Sequence, residues 1–258
     1  MKKNFIYLGI ILCVGLLEVA CEKQEPVHYE NNPGLYFYKR TIQGSPDFQD
    51  DSIAYSFFLQ KSNVVRDTVW IDVRVMGFPV DFARPVKMVQ IHDNPDTDPK
   101  PGEHYIGFDD PEIADLVSVP AGAVQIRYPV VLLRTPSMKT TEYRLHLSIQ
   151  ENDYFGIGIP AQSEFLVKIS DKAMKPTLWD KSWIYIFGDW GPVKMKFIID
   201  YVGITDFDTT SGMDTETESF YTAKAIEALE KYNRENNTIL MEDDKITIVE
   251  FPNDEYPI

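Results

Sequence analysis

Apolar and polar residues alternate along several short segments in the first two thirds of the chain. The clearest is 67–76, where valine or isoleucine takes every second position from 69 to 75. The same period of two recurs in 124–128, 143–149 and 165–169. Successive side chains of a β-strand point to opposite faces, so this period predicts half-buried strands.

Three further segments are rich in apolar residues with a weaker period: 35–38, 53–59 and 86–91. Clusters of glycine, proline and aspartate separate the segments, and the prolines within 94–102 exclude a regular element there. Short strands between such turns are typical of an antiparallel sandwich. We therefore predict a mainly β fold, with an antiparallel sandwich domain over 33–171.

The pattern changes after this domain, and we predict a smaller C-terminal region with helices over 172–258. Pro192 suits the first position of a helix that ends near residue 202. Apolar residues also alternate from 193 to 199, which keeps a strand as the alternative for the same segment.

A longer helix is predicted from about 215 to 236. Thr215 and Glu218 have the spacing of a capping box, in which each side chain bonds to the backbone of the other residue. Apolar residues then recur at helical spacing, at Phe220, Ala223, Ile226, Leu229 and Tyr232. After this helix, 246–249 predicts a last short strand.

The N-terminus has the features of a secretory signal peptide. Two lysines precede an apolar run over 5–17, and Ala20 is a small residue immediately before Cys21. The run is too short to cross a bilayer as a helix. We predict a signal peptide over 1–20.

The segment 17–21 resembles a bacterial lipobox, in which the cysteine becomes the lipidated first residue. The chain departs from the pattern at Glu18, where an aliphatic residue is usual. The resemblance implies lipidation of Cys21, followed by a lipidated tether over 21–32; a free or uncleaved Cys21 is the alternative. The stretch 22–25 resembles the surface-export signals of Bacteroidetes lipoproteins, which implies an outer-membrane location at the cell surface.

Charge and composition argue against a nucleic-acid partner and against a structural zinc site. The chain has 258 residues, and 25 basic against 40 acidic residues give a net charge of −15. This excess repels phosphate backbones, so we expect no nucleic-acid partner. The chain has four histidines and two cysteines, which is little material for a structural zinc site.

The sequence shows no catalytic motif. The glycine-rich segment 156–159 lacks the serine of a nucleophile elbow. Many acidic residues are present, but no spacing singles out a carboxylate pair for glycoside hydrolysis. We predict no catalytic residues and a protein that is not an enzyme; a hydrolase with unrecognised carboxylates is the alternative. His104 is expected to be structural and His146 to lie on the surface.

Two acidic loops are candidate calcium sites, because calcium prefers oxygen ligands gathered on loops. The candidate ligands are Asp93, Asp96 and Asp98 in the first loop, and Asp109, Asp110 and Glu112, with Asp115 nearby, in the second. The alternative is that both loops are simply solvated. We expect no other cofactor.

Clustered aromatic residues form the last candidate site. Sugar rings pack on exposed indole and phenol rings, so a glycan platform is one interpretation of the cluster. The residues are Trp179, Trp183, Tyr185 and Trp190. The alternative is that they form the joint between the sandwich and the helical region. Trp70 falls on the polar phase of its strand and faces solvent or the C-terminal region.

Several motifs resemble known families. A strand ending in glycine at 67–77 and turns at 102–105 and 120–122 resemble Calx-beta-like, immunoglobulin-like sandwiches, as does a strand closing in Leu132-Leu133-Arg134. Downstream, Lys175-Pro176-x-x-Trp179 and Gly191-Pro192-x-Lys194-x-Lys196-Phe197 resemble a Bacteroidetes lipoprotein family known only as a domain of unknown function. Members of that family are typically encoded beside SusC/SusD-like uptake pairs.

The resemblance implies a non-enzymatic outer-membrane surface lipoprotein that assists a SusC/SusD-like nutrient uptake system. Such a protein would bind a glycan, a peptide or an uptake component. A calcium-binding adhesion or structural module is the alternative within the binding class.

Overall fold

The structure, a computed structural model, describes residues 32–39, 51–114, 117–208 and 214–253, in which strands are followed by helices. The predicted signal peptide, Cys21 and all of the tether before Asn32 lie outside the described residues. The described strands are β1 (Gly34–Phe37), β2 (Ser52–Ser56), β3 (Arg66–Met76), β4 (Arg84–Pro85), β5 (Lys87–Ile91), β6 (Ser118–Val119), β7 (Gln125–Leu133), β8 (Tyr143–Gln150), β9 (Gly156–Ile157) and β10 (Glu164–Ser170).

Two four-stranded sheets contain most of these strands. The first sheet has the order β7-β3-β1-β9, the second has the order β2-β10-β8-β5, and β4 pairs separately with β6. Most pairs are antiparallel, as predicted, but β1 with β9 and β2 with β10 are parallel. The predicted antiparallel arrangement is therefore wrong for these two pairs. Period-two alternation places a strand's faces but contains no information on the direction of its neighbour.

The alternating residues form the core that the pattern predicts. Val69, Ile71 and Val73 of β3 are buried, and so are the apolar positions of β8 and β10. These side chains from both sheets join in one hydrophobic cluster. The mainly β character of the chain, with helices in its C-terminal part, is confirmed.

The helices begin with a short α1 (Pro111–Ala114), and the rest follow the sheets. A π-helical turn over Trp179–Trp183 continues into α2 (Ile184–Phe187). Then α3 (Pro192–Phe197) continues into a π-helical turn over Ile198–Val202. The longest helix is α4 (Thr215–Asn236). Single 3-10 turns cover Phe57–Leu59, Pro136–Lys139 and Pro160–Gln162.

Pro192 begins α3, so the predicted helix is confirmed over the strand alternative. Met195, Ile198, Ile199 and Val202 are all buried, which is the spacing of a helix face rather than of a strand. The apolar alternation from 193 to 199 is an incidental feature of a helix buried on more than one side.

Three details of the C-terminal predictions were wrong. The cap of α4 is Asp214, whose side chain accepts from the Thr217 N–H at 2.8 Å, and Thr215 is already helical. Segment 246–249 is not a strand, because among the described residues it forms only a single bridge between Met241 and Ile248. Phe220 of the predicted apolar stripe is 59% exposed, since Ala225 and Leu229 form the buried side of α4.

A second hydrophobic cluster holds the helices together. Its aromatic members include Trp179, Trp183, Phe187 and Phe207. Phe58, from the turn that follows β2, also belongs to it. The β-rich part thus contributes directly to the core of the helical part, and the described residues from Pro33 onward belong to one compact unit.

Candidate functional site

Two of the four aromatic residues predicted to bind ligand lie in the core. Trp179 and Trp183 are 0% exposed. Their indole N–H groups donate to the carbonyl oxygens of Gly188 at 3.0 Å and Phe207 at 2.8 Å. Buried rings with satisfied N–H groups stabilise packing and present no face to a ligand.

The other two aromatic residues do not share a surface with this pair. Tyr185 is 78% exposed, whereas Trp190 is half-buried with its indole N–H against the Met195 sulfur at 3.4 Å. Trp179 and Trp183 are four residues apart and so share one helix face, while Tyr185 lies on another. The predicted four-residue platform is therefore not assembled, and the packing role that was its alternative describes Trp179 and Trp183.

Several carboxylates of the two acidic loops are already bonded to other groups of the protein. Asp98 accepts from the Asp93 and Asn94 N–H groups at 3.3 and 3.1 Å, and Asp110 accepts from the Glu112 N–H at 2.9 Å. Glu112 also pairs with Arg66. Within the described ranges no group of three His, Cys, Asp or Glu residues is placed to hold a metal ion. Asp96 and Asp109 are exposed, and Asp115 lies outside those ranges.

The two histidines with predicted roles both have partners within the protein. His104 is 1% exposed, accepts from the Lys100 N–H at 3.0 Å through Nδ1, and has its pKa lowered by burial. His146 is half-buried rather than on the surface, since its ring nitrogens face Asp93 at 2.8 Å and Glu164 at 3.2 Å. Alternation predicted the strand of His146 but not the carboxylates on either side of it.

A cleft of about 450 Å³ lies where the β-rich part meets the helices. We call it the junction cleft. It is lined from the β-rich part by Phe58, Ser62, Arg134, Lys139, Asp171 and Ala173, and from the C-terminal part by Pro192, Val193, Lys196, Phe197, Asp200, Tyr201, Tyr232, Leu240 and Asp243. Its walls thus come from segments far apart in the sequence.

An aromatic group forms one wall of the cleft. Tyr201 is 51% exposed, and its ring stacks on Phe197 with centroids 4.6 Å apart and an interplanar angle of 22°. Tyr232 of α4 meets Tyr201 edge-on at 5.6 Å. Burial raises the pKa of the Tyr201 hydroxyl, and Tyr232 and Asp200 raise it further. The cleft therefore holds an accessible ring with a neutral hydroxyl at neutral pH.

A second wall of the cleft is polar and tightly connected. Asp200 accepts from the Ser62 N–H at 2.7 Å and from the Ser62 hydroxyl at 2.6 Å. Lys196 lies 3.4 Å from Asp200 and donates to the Gln60 carbonyl oxygen. Burial lowers the pKa of Lys196, while Asp200 opposes that effect. These bonds join the helical segment after Pro192 to the turn after β2.

Arg134 and Asp171 complete this wall as a two-bond ion pair. Arg134 Nε donates to Asp171 Oδ2 at 2.9 Å and Nη2 donates to Oδ1 at 2.7 Å. The two side chains are only 13% and 3% exposed. Nη1 of Arg134 also donates to the Lys61 carbonyl oxygen at 3.3 Å. The wall is thus held in one arrangement before any ligand arrives.

Lys139 and Asp243 are exposed in the cleft, and their side chains form no hydrogen bond or ion pair with other described residues. A nucleophile activated by a base is not assembled here, since the Ser62 hydroxyl donates to Asp200 alone. The arrangement suits binding: one exposed ring, a fixed polar wall and unpaired polar groups.

The sequence analysis did not identify Tyr201 as a site residue. Phe197 and Tyr201 are four residues apart in the predicted helix, a spacing that places two rings side by side.

Comparisons with known proteins add a family but no activity. A profile of DUF4843, a domain of unknown function, matches residues 29–204. No protein of curated function matches the sequence. Within the described ranges, no helix combines the length and the apolar character needed to cross a bilayer.

Three similar solved structures come from Bacteroides. One is a two-domain protein of unknown function from Bacteroides fragilis, with 12% identity, a TM-score of 0.31, and coverage of 54% of this chain and 45% of that one. The second is a proposed carbohydrate binding protein from Bacteroides ovatus, with 12% identity, a TM-score of 0.33, and coverage of 54% and 37%. The third is a protein of unknown function from Bacteroides ovatus, with 15% identity, a TM-score of 0.33, and coverage of 52% and 43%. The matched part of this chain spans less than half the length of each.

Proposed function

We propose that this chain, which belongs to DUF4843, a family of domains of unknown function, binds a neutral glycan in the junction cleft and does not turn it over. The observation that carries this proposal is the exposed Tyr201 ring, stacked on Phe197 inside a cleft with fixed polar walls. The apolar C–H face of a sugar packs on such a ring, while the polar groups beside it bond to hydroxyls.

Size and charge support this ligand class. The cleft volume of about 450 Å³ lies within the roughly 300–1,000 Å³ range of small-molecule sites. Its three cations, Arg134, Lys139 and Lys196, are matched by three carboxylates, Asp171, Asp200 and Asp243. A balanced cleft in a chain with a net charge of −15 favours a neutral ligand over an anionic one.

Binding without catalysis is proposed because the carboxylates of the polar wall already have partners. Glycoside hydrolysis needs one carboxyl group free to donate a proton and a second free to act as base or nucleophile. Asp171 gives both oxygens to Arg134, and Asp200 gives both to Ser62. Both carboxylates are thus engaged by the protein, and the unpaired Asp243 supplies only one of the two groups that hydrolysis needs.

The wider setting is part of the same proposal. We place the protein at the outer membrane, anchored through Cys21, as an accessory to a SusC/SusD-like uptake system with a Calx-beta-like, immunoglobulin-like sandwich. The N-terminal pattern and the motif resemblance support this setting.

The test is glycan binding by the full-length chain. Cello-, xylo-, manno- and malto-hexaose are titrated calorimetrically against the wild type and against the variants Tyr201→Ala and Tyr185→Ala. We expect at least one oligosaccharide to bind, and Tyr201→Ala to weaken its binding at least tenfold, equivalent to about 1.4 kcal/mol. Tyr185 is a matched control, because it is an exposed tyrosine outside the cleft.

The proposal fails if none of the four oligosaccharides binds, or if Tyr201→Ala binds as tightly as the wild type. Loss of binding in Tyr185→Ala alone would move the site to the aromatic residues that the sequence had indicated. Release of reducing sugar during the titration would contradict binding without turnover.

A further inference from the structure

The face of the first sheet that points away from the core carries aromatic and arginine side chains. In β3 the core-facing valines alternate with Trp70, Asp72 and Arg74, and Trp70 is 48% exposed. Arg127 of β7 and Tyr38, just after β1, lie beside them. We call these five residues the aromatic–arginine face; none of them lines the junction cleft.

Strand register places the five side chains in adjacent rows. Asp72 pairs directly with Arg127 across the ladder, and the Tyr38 N–H donates to the Asp72 carbonyl oxygen at 2.8 Å. Along β3, alternate residues lie roughly 7 Å apart and neighbouring strands roughly 5 Å apart, so the face covers about 13 by 10 Å. A hollow of about 360 Å³ opens between Asp72, Arg74 and Arg127.

Both guanidinium groups lie over aromatic rings. The central carbon of Arg74 is 3.4 Å from the centroid of the Tyr38 ring, and that of Arg127 is 5.5 Å from the centroid of Trp70. A guanidinium that stacks on a ring uses its face and keeps its N–H edge available for a planar acceptor. The rings therefore attract the two guanidinium groups without bonding to their N–H donors.

The donors have little to bond to within the protein. Arg74 forms no ion pair or hydrogen bond with the described residues, and Arg127 is 3.9 Å from Asp72 with both side chains more than half exposed. An exposed pair at that separation contributes little. The face therefore presents two cations to one carboxylate, against 25 basic and 40 acidic residues in the whole chain.

We propose that the aromatic–arginine face binds an acidic polysaccharide. The carboxylate of a uronate is planar and matches the guanidinium fork, which can give it two parallel hydrogen bonds. The apolar face of the same sugar packs on the exposed ring of Trp70. This site is independent of the proposed cleft function, because it uses other residues and an anionic rather than a neutral ligand.

The test uses oligosaccharides of polygalacturonate and of alginate with the full-length chain. Binding is followed by calorimetry and by acrylamide quenching of tryptophan fluorescence. Trp70 is the accessible tryptophan, since Trp179 and Trp183 are fully buried and Trp190 is half-buried. We expect ligand to protect Trp70 from the quencher, and the double variant Arg74→Gln/Arg127→Gln to lose at least tenfold in affinity.

Three controls make the result specific. Arg74→Lys/Arg127→Lys keeps the charge but removes the forks, so its affinity should lie between those of the wild type and the glutamine variant. Arg144→Gln changes an exposed arginine of the second sheet and should bind as the wild type does. Methyl-esterified polygalacturonate has the same backbone without charge and should bind at least tenfold more weakly.

Four outcomes would overturn the proposal. The first is that neither acidic oligosaccharide binds, and the second is that the esterified form binds equally well. The third is equal binding of polyglutamate, which would make the face a site for acidic peptides. The fourth is binding that survives the arginine changes and is lost in Tyr201→Ala, which would place the acidic ligand in the junction cleft. Failure of the neutral hexaoses alone would leave this proposal standing.

Discussion

Single tyrosines illustrate how burial sets the chemistry of a side chain. Tyr105 and Tyr128 are 2% and 1% exposed in the core between the sheets. Tyr105 donates from its hydroxyl to Gln90 Oε1 at 2.8 Å. Burial raises the pKa of Tyr105 to about 12, with a further contribution from Asp109, and burial also raises the pKa of Tyr128. Both hydroxyls keep their protons in the folded state at pH values where an unfolded chain loses them.

The raised pKa of Tyr105 predicts a loss of stability in alkali. Its contribution is fully present below the unfolded pKa of about 10 and is lost as the pH rises toward the folded value of about 12. In that window the unfolding free energy of both proteins should fall as the pH rises, and that of Tyr105→Phe should fall less steeply. The difference between the two slopes should be at most about 1.4 kcal/mol per pH unit. Urea unfolding at a series of pH values measures the slopes. Tyr185→Phe is the control, and equal slopes for wild type and Tyr105→Phe would contradict the assignment.

At the scale of elements, the close approach of β1 to the segment of β9 depends on glycine at positions 34 and 158. A Cβ on Gly34 would lie 2.5 Å from the Cα of Gly158 and 2.6 Å from its nitrogen. Gly156, which pairs with Gly34 in the ladder, has no atom within 4 Å of its own Cβ position. The parallel pairing at this sheet edge therefore requires glycine at one position of the pair and tolerates alanine at the other.

This difference predicts opposite behaviour for two matched variants. Gly34→Ala should destabilise the fold by about 1–3 kcal/mol, because backbone atoms rather than a flexible side chain must move. Gly156→Ala should change stability by no more than about 0.5 kcal/mol, since neither glycine has a positive φ. Thermal and urea unfolding of both variants provide the comparison. Equal effects would mean that β9 is not held against β1 in solution.

At the scale of the whole molecule, the two hydrophobic clusters are connected by polar contacts at their junction. The Arg134–Asp171 pair joins the end of β7 to the residue after β10, and Arg134 also reaches the Lys61 carbonyl oxygen. Asp200 and Lys196 then connect the helical part to the same turn through Ser62 and Gln60. The junction cleft lies among these contacts, so ligand binding and the stability of the junction should be coupled.

The buried pair predicts a large cost when one partner is removed. Asp171→Ala leaves Arg134 buried without its counter-ion, and we expect it to cost about 3–5 kcal/mol of unfolding free energy. Asp180→Ala removes a carboxylate from the exposed Lys175–Asp180 pair, which is 40% and 64% exposed, and should cost less than about 1 kcal/mol. Denaturant unfolding separates the two. A similar small loss in both would show that the junction does not depend on this ion pair.

Local patterns in the sequence determined most of the elements of this protein. Alternation in 67–76, 143–149 and 165–169 located β3, β8 and β10, because the period of side-chain direction is a property of each strand alone. Pro192 likewise marked the start of α3, because its fixed φ suits the first turn of a helix. The mainly β fold with C-terminal helices follows from such local signals.

Only the tertiary structure decided strand direction and the composition of the candidate site. The parallel pairs of β1 with β9 and of β2 with β10 join segments distant in sequence, and alternation is the same for either direction. Aromatic composition drew attention to Trp179 and Trp183, but packing buried these rings and left Tyr201 exposed. Exposure depends on which distant segments cover a side chain, and that is settled by the burial of the whole apolar surface rather than by neighbours in the sequence.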